Sequence, residues 1–202
     1  MTTSTTVSTS GVFVGIPPVQ RAGLSAAIGR CRVQLQFGNI VEETTRAVVN
    51  SVCGSNYGDG DCAKAIKKAA GDSMVNEYKR NRDSSTNKDI VITEAGNMKQ
   101  EKILHVVANS DPKKLTDLVT KTLQEAEAGK LDSIAFPALG TGHMKGDPKK
   151  LAVPMFEAMR DFALDTHPQW LHFIKVTILK EDLFDTYKEA MQDTLGRYCM
   201  GE

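Results

Sequence analysis

An excess of charge of either sign is missing from this sequence: Lys and Arg number 25, and so do Asp and Glu. A balanced chain has no overall field to draw it onto nucleic acid or an acidic membrane, so a site for a charged ligand must be built locally. Cysteine and histidine are scarce, at four each, with no CxxC pair, no HExxH and no Cys/His spacing of the finger type. That pattern speaks against a structural zinc site and for free thiols in a reducing cytoplasmic or nuclear setting. Long apolar runs are also missing. No stretch approaches the ~20 residues that span a bilayer. The short GVFVGI run has no basic region ahead of it, so neither a membrane span nor a secretory leader is expected. What is present is ordinary globular composition: 202 residues, 41% hydrophobic and 25% charged, which fits a single domain.

The first ten residues, MTTSTTVSTS, hold eight Ser or Thr and no charged side chain. So little apolar surface does not offset the entropy of ordering a chain, and a disordered lead is expected. The segment GVFVGIPPVQRAGLSAAIGR, broken at Pro17-Pro18, shows no sustained period and reads as a linker or loosely docked arm. Residues 1–29 are thus expected to precede a domain at 30–202, with structure beginning near Cys31.

From there the hydrophobic period alternates between 2 and 3.6. CRVQLQF, RAVVNSV, DIVIT, KILHVVA, DSIAFPAL and LHFIKVTIL read as strands. DCAKAIKKAAGDSMVNEYKR reads as a helix open to a break at Gly71, and PKKLTDLVTKTLQEAEAG as a helix stopped at Gly129. DPKKLAVPMFEAMRDFAL and EDLFDTYKEAMQDTL complete the helices. Strand and helix alternate, so one α/β sheet with helices on both faces is expected.

Two glycine loops run from a strand into a helix. One is CGSNYGDGDCAKAI, with Gly54, Gly58 and Gly60; the other is Gly140-Thr141-Gly142-His143-Met144-Lys145-Gly146. Either alone is accounted for by a tight turn; the pair points to a diphosphate clamp, because bare backbone N–H groups at helix starts suit an anion. The sequence matches neither the Walker A pattern nor GxGxxG.

The ordered blocks FGNI, VVNSV, a glycine loop, AIKKAAG, ITEAGNM, ILHVVA, IAFPALGTG and ILKEDLFDTYKEAM resemble a macro domain over about residues 30 to 195. The wording of FPALGTG is most similar to macro modules of the poly(ADP-ribose) polymerase family. The resemblance implies a three-layer α/β/α fold with a mixed central sheet, and ADP-ribose, free or on a mono-ADP-ribosylated protein, as ligand. It implies a monomeric module with no cofactor beyond that ligand; with the composition, no metal and no membrane partner are expected, and a nucleic-acid partner is disfavoured. Carried over position by position, it places Asn39 and Ile40 of FGNI, with Leu179, around the adenine. Asn50, Cys53, Gly58, Gly60, Cys62 and Ala63 fall on the first loop and its flanks, and Gly140, Thr141, Gly142, His143 and Met144 on the second.

The departures from the family pattern shape the expected function. Asn39 stands where the family has an aspartate that accepts from the adenine amino group, and Leu179 where an aromatic often stacks. Cys53 and Ala63 replace the second Asn and the Asp that hydrolytic members use, so a non-hydrolytic reader is expected. The alternatives are a degenerate module serving protein interaction without nucleotide binding and, less favoured, an ADP-ribosyl hydrolase. Asp59 and Asp61 introduce carboxylates into the first loop, which Lys145, Lys149 and Lys150 would offset if they face the cleft. Asp59 and Asp61 read as solvated charges, Cys53 as a small buried thiol and His105 as a packed structural residue.

Overall fold

The computed structural model describes residues 23–52, 57–58, 60–87, 89–142 and 145–199. Seven strands form one sheet: β1 (Leu24–Ile28), β2 (Cys31–Phe37), β3 (Ala47–Val52), β4 (Ile90–Glu94), β5 (Lys102–Val107), β6 (Ser133–Phe136) and β7 (Phe173–Ile178). Their spatial order is β1-β2-β7-β6-β3-β5-β4. The five inner strands run parallel, and the edges β1 and β4 are antiparallel to their neighbours. The sheet is therefore mixed.

Five helices cover it: α1 (Asp61–Ala70), α2 (Asp72–Ser84), α3 (Pro112–Ala128), α4 (Pro148–Asp165) and α5 (Glu181–Leu195). Sequence alternation sorts the side chains of β3 between two layers. Ala47 and Val49 join the large core under α3, α4 and α5, while Val48 joins the smaller core under α1 and α2 with Ile66, Ala70 and Met74. Helices thus lie on both faces, giving three α/β/α layers. The apolar stripe Ala63, Ile66 and Ala70 is what α1 buries, and Gly71, at φ +88°, ends it before α2 begins.

Regular structure is present earlier in the chain than the sequence suggested. Leu24–Ile28 is a strand, not an arm: it pairs antiparallel with β2 in the register Leu24↔Leu35 to Ile28↔Cys31, and Ala26 and Ile28 are fully buried. The physical reason is the two-residue turn Gly29-Arg30, in which Gly29 adopts φ +56° and folds the chain back as a hairpin. The expected disordered stretch at residues 1–10 lies outside the described residues.

Candidate functional site

The parallel strands β2, β7, β6 and β3 are neighbours, and their carboxyl ends open on one cleft of ≈ 410 Å³. After β3 the chain turns to α1 on one face; after the adjacent β6 it turns to α4 on the other. Divergence of this kind leaves a crevice between the two strand ends, where ligands collect in open α/β sheets. Pro137, Ala138, Gly140, Thr141 and Gly142 line it from β6, and Ser51, Gly60, Asp61, Cys62 and Ala65 from β3 and α1. Gly38, Asn39 and Ile40 follow β2, while Thr177, Ile178, Leu179, Lys180 and Leu183 come from β7 and α5.

The glycine loop after β6 is closed on itself. Gly146 N–H donates to Gly140 O and Lys145 N–H to Gly142 O, both at 2.9 Å, and Thr141 Oγ1 donates to Ala138 O at 3.0 Å. Gly140 holds φ +78°, and a Cβ there would lie 2.7 Å from Asn109 O. A Cβ on Gly142 or Gly60 would meet nothing within 4 Å. Gly140 is thus required by the turn, whereas Gly142 and Gly60 leave open space over bare backbone at the cleft. Gly60 is also the N-cap of α1 and supplies no capping side chain, so the first-turn N–H groups are left unclaimed by it.

At the other end, Asn39 caps the 3-10 helix Ile40–Glu42, its Oδ1 accepting from Val41 N–H at 3.4 Å. That short helix is pinned from behind. Buried Glu43 accepts from Lys175 Nζ at 2.7 Å and Thr177 Oγ1 at 2.6 Å, and Gln100 Nε2 donates to its carbonyl oxygen. Leu179 is 63% exposed at the rim.

The expected site residues separate on this geometry. Asn39, Ile40, Gly60, Cys62, Gly140, Thr141, Gly142 and Leu179 line the cleft. Asn50, Gly58 and Ala63 do not: all three are buried beneath it. Asn50 faces the α1/α2 side of β3, donating from Nδ2 to Tyr57 Oη at 3.1 Å and lying 3.0 Å from His105 Nδ1. Its neighbour Ser51 reaches the cleft instead, as the alternation of a strand dictates. Cys53, Asp59, His143 and Met144 lie outside the described residues. Lys145, Lys149 and Lys150 are exposed, and none lines the cleft, so they do not face the carboxylate of Asp61 across it. Asp147, where the family often has an aromatic, caps α4 by accepting from Lys149 N–H at 3.0 Å.

His105 is packed as expected. It is fully buried, with Nε2 2.9 Å from Thr93 Oγ1 and rings of Tyr78 and Tyr57 edge-on at 4.8 and 5.5 Å. Because Asn50 Nδ2 can only donate, Nδ1 is the acceptor and Nε2 carries the proton, donating to Thr93 Oγ1, whose own hydroxyl donates to Glu94 O. Burial pushes its pKa down to about 3, which keeps the ring neutral. In the cleft itself, burial raises the Cys62 thiol to about 11; a Ser51 backbone hydrogen bond opposes this and Asp61 adds to it. Such a thiol is a poor nucleophile. Ser51, Ala65, Pro137, Ala138, Thr177, Lys180 and Leu183 line the cleft without having stood out in the sequence. The signal that finds them is position alone: each sits at or just beyond the carboxyl end of a parallel strand, or on the first turns of the helix that follows.

A family model described as Macro domain matches residues 49–155. The protein mono-ADP-ribosyltransferase PARP14 of Homo sapiens is 31% identical over 169 residues, covering 84% of this chain and 9% of its own length. The chain therefore spans under a tenth of that relative. An O-acetyl-ADP-ribose deacetylase of Cronobacter sakazakii is 30% identical over 149 residues, 68% of this chain and 82% of that protein. Among solved structures, a mutant of the Oceanobacillus iheyensis macrodomain with ADPR superposes with a TM-score of 0.76 at 23% identity, over 85% of this chain and 98% of the other. At that identity the likeness concerns the fold.

Proposed function

Because this chain belongs to the macro domain family, we propose that its cleft is a non-hydrolytic reader of ADP-ribose, free or carried on a mono-ADP-ribosylated protein, acting as a monomeric module in cytoplasm or nucleus. The observation that carries the reading is the pairing of Gly60 and Gly142, two bare-backbone positions with no packing need for glycine, across a cleft at the strand ends. A diphosphate needs close approach to backbone N–H groups at a helix start, and these positions allow it. The volume of ≈ 410 Å³ suits a nucleotide-sized ligand. Ile40, Ile178, Leu179 and Leu183 supply an apolar end for a base, and ADPR in the Oceanobacillus relative's structure supports the ligand class.

The absence of turnover in this proposal rests on the chemistry of the lining. Asp61, Cys62 and Lys180 are the protonable side chains among the described lining residues. Burial keeps the Cys62 thiol protonated, and among the described lining residues no second carboxylate stands beside Asp61 to divide acid and base roles. The name of the Cronobacter relative supports a second reading, O-acetyl-ADP-ribose deacetylation. Two assays test the proposal. Calorimetric titration with ADP-ribose is expected to give saturable heat. Incubation with a mono-ADP-ribosylated protein and with O-acetyl-ADP-ribose is expected to release neither ADP-ribose nor acetate above background. Acetate release would favour the second reading, and absence of binding heat would leave a protein-interaction module.

A further inference from the structure

We infer that Glu43 is the positioning residue of the cleft's apolar end, where its carboxylate ties the segment after β2 to the end of β7 and so sets how tightly a base is held. The inference rests on the proposed reading of the cleft as a site for a nucleoside diphosphate ribose. Gly38, Asn39 and Ile40 form one wall of that end, and Thr177, Ile178 and Leu179 form the other. Backbone pairing between the walls stops early: the parallel register of β2 and β7 closes at Phe37↔Ile178, and Gly38 N–H donates to Ile178 O at 2.9 Å. Beyond that bond the first wall runs into the 3-10 helix Ile40–Glu42, whose Glu42 N–H donates to Asn39 O at 3.0 Å and whose cap, Glu43 N–H, donates to Ile40 O at 3.4 Å. So short a helix has little rigidity of its own.

A side chain supplies what the ladder does not. Glu43 is buried at the C-cap of that helix, its Oε2 accepting from Lys175 Nζ at 2.7 Å and its Oε1 from Thr177 Oγ1 at 2.6 Å, while Gln100 Nε2 donates to its carbonyl oxygen. Ile174, Val176 and Ile178 of β7 join the core under α3, α4 and α5, so alternation turns Lys175 and Thr177 to the α1/α2 side, where Ile40 packs. Both carboxylate oxygens are thus taken by the strand that carries the second wall, and one of the two donors, Thr177, is itself a lining residue. Moving the carboxylate moves both walls. Fold stability is a weak reason for such a pair, because burying two charges costs their hydration and an apolar pair of similar volume often packs as well or better. Ala135, paired with Lys175 across β6 and β7, already belongs to the apolar core on that side. What the charged pair adds is direction, since both oxygens are held by donors at fixed places on β7.

The test is titration of the full, ¹⁵N-labelled chain with ADP-ribose, unaltered and carrying Glu43→Met together with Lys175→Met, which removes both charges at nearly constant volume and leaves neither unpaired. The double variant is expected to keep or raise the melting temperature and to bind ADP-ribose about tenfold more weakly, the worth of one well-placed hydrogen-bonding contact. At saturation its ligand-induced shifts should shrink at the amides of Ile40 and Leu179 and persist at Gly60 and Gly142. Thr177→Val, which cuts only the hydroxyl tie to Glu43, should show the same pattern in smaller degree, and Thr177→Ser, which keeps the hydroxyl, should restore the unaltered affinity; these two decide the matter if the double variant does not fold. Unchanged affinity in a folded double variant, or equal loss of shifts at both ends of the cleft, would overturn the inference while leaving the nucleotide reading intact. Thr177→Val behaving as the unaltered chain, or Thr177→Ser binding as weakly as Thr177→Val, would do the same. Absence of ADP-ribose binding by the unaltered chain would overturn the nucleotide reading and this inference with it.

Discussion

Gly140 and Gly142 are glycines for different reasons, and substitution separates them. A side chain on Gly140 meets Asn109 O at 2.7 Å from a left-handed backbone, so Gly140→Ala should cost about 2 kcal/mol of stability or more. Gly142→Glu meets open space; it should leave the melting temperature nearly unchanged and abolish ADP-ribose binding. Loss of fold and binding together in Gly142→Glu would return that glycine to the turn. His105 carries a second residue-scale expectation. Its folded pKa, about 3, lies below the ordinary 6.5, so the unfolded chain takes up the proton first. This contribution to stability is complete above pH 6.5 and falls away as the pH drops toward 3. Denaturant unfolding at steps across that window should show a shallower pH slope in His105→Gln than in the unaltered chain. Part of the cleft's lining was legible in the residues. Gly38, Asn39 and Ile40 of FGNI, the GTG loop and Leu179 border one cleft, because loops at strand ends keep their place when the fold is kept. Asn50 was not legible as a buried residue: RAVVNSV has no alternation to say which of Asn50 and Ser51 faces inward, and the partner that claims the amide, His105, lies in a different strand.

Among elements, the start of α1 carries the sharpest trade between stability and binding. Gly60 occupies the N-cap at φ −68° and ψ 153°, a conformation open to any residue, with space for a Cβ. Gly60→Ser should therefore raise stability by about 0.3 kcal/mol through a capping hydrogen bond. The same hydroxyl would occupy first-turn N–H groups that a diphosphate needs, so ADP-ribose affinity should fall about tenfold. Unchanged affinity with improved stability would mean that the ligand does not use α1. The long helices are where the period put them, and the break open at Gly71 is there, but α1 buries Ala63, Ile66 and Ala70, whereas the pattern put Cys62, Ala65, Ile66, Ala69 and Ala70 on its apolar face; Cys62, Ala65 and Ala69 are half-buried. The strand Leu24–Ile28 was missed because five residues with three small side chains at the sheet edge give almost no period-2 contrast. The available signal was Gly29-Arg30, a glycine-led pair between two short apolar runs, which is a hairpin mark.

For the whole molecule, a neutral chain places its two glycine-bordered strand ends at one crevice, where the charges among the described lining residues are Asp61 and Lys180. The site is therefore local and electrostatically modest. On the proposed reading, the neutral amide of Asn39 in place of a carboxylate, the aliphatic Leu179 without a ring and the carboxylate of Asp61 are each expected to weaken ADP-ribose binding. Together they are worth roughly a hundredfold, which moves a micromolar site to about 0.1 mM. The central claim is that this crevice, and no other surface, binds ADP-ribose. It is tested most directly by titrating the ¹⁵N-labelled chain with ADP-ribose and following every backbone amide. The account predicts fast-exchange shifts confined to the amides of Ile40, Ser51, Gly60, Gly142 and Leu179 and their immediate neighbours, half-saturating on the order of 0.1 mM. Silence at those amides at millimolar ligand, or shifts centred elsewhere on the molecule, would contradict it.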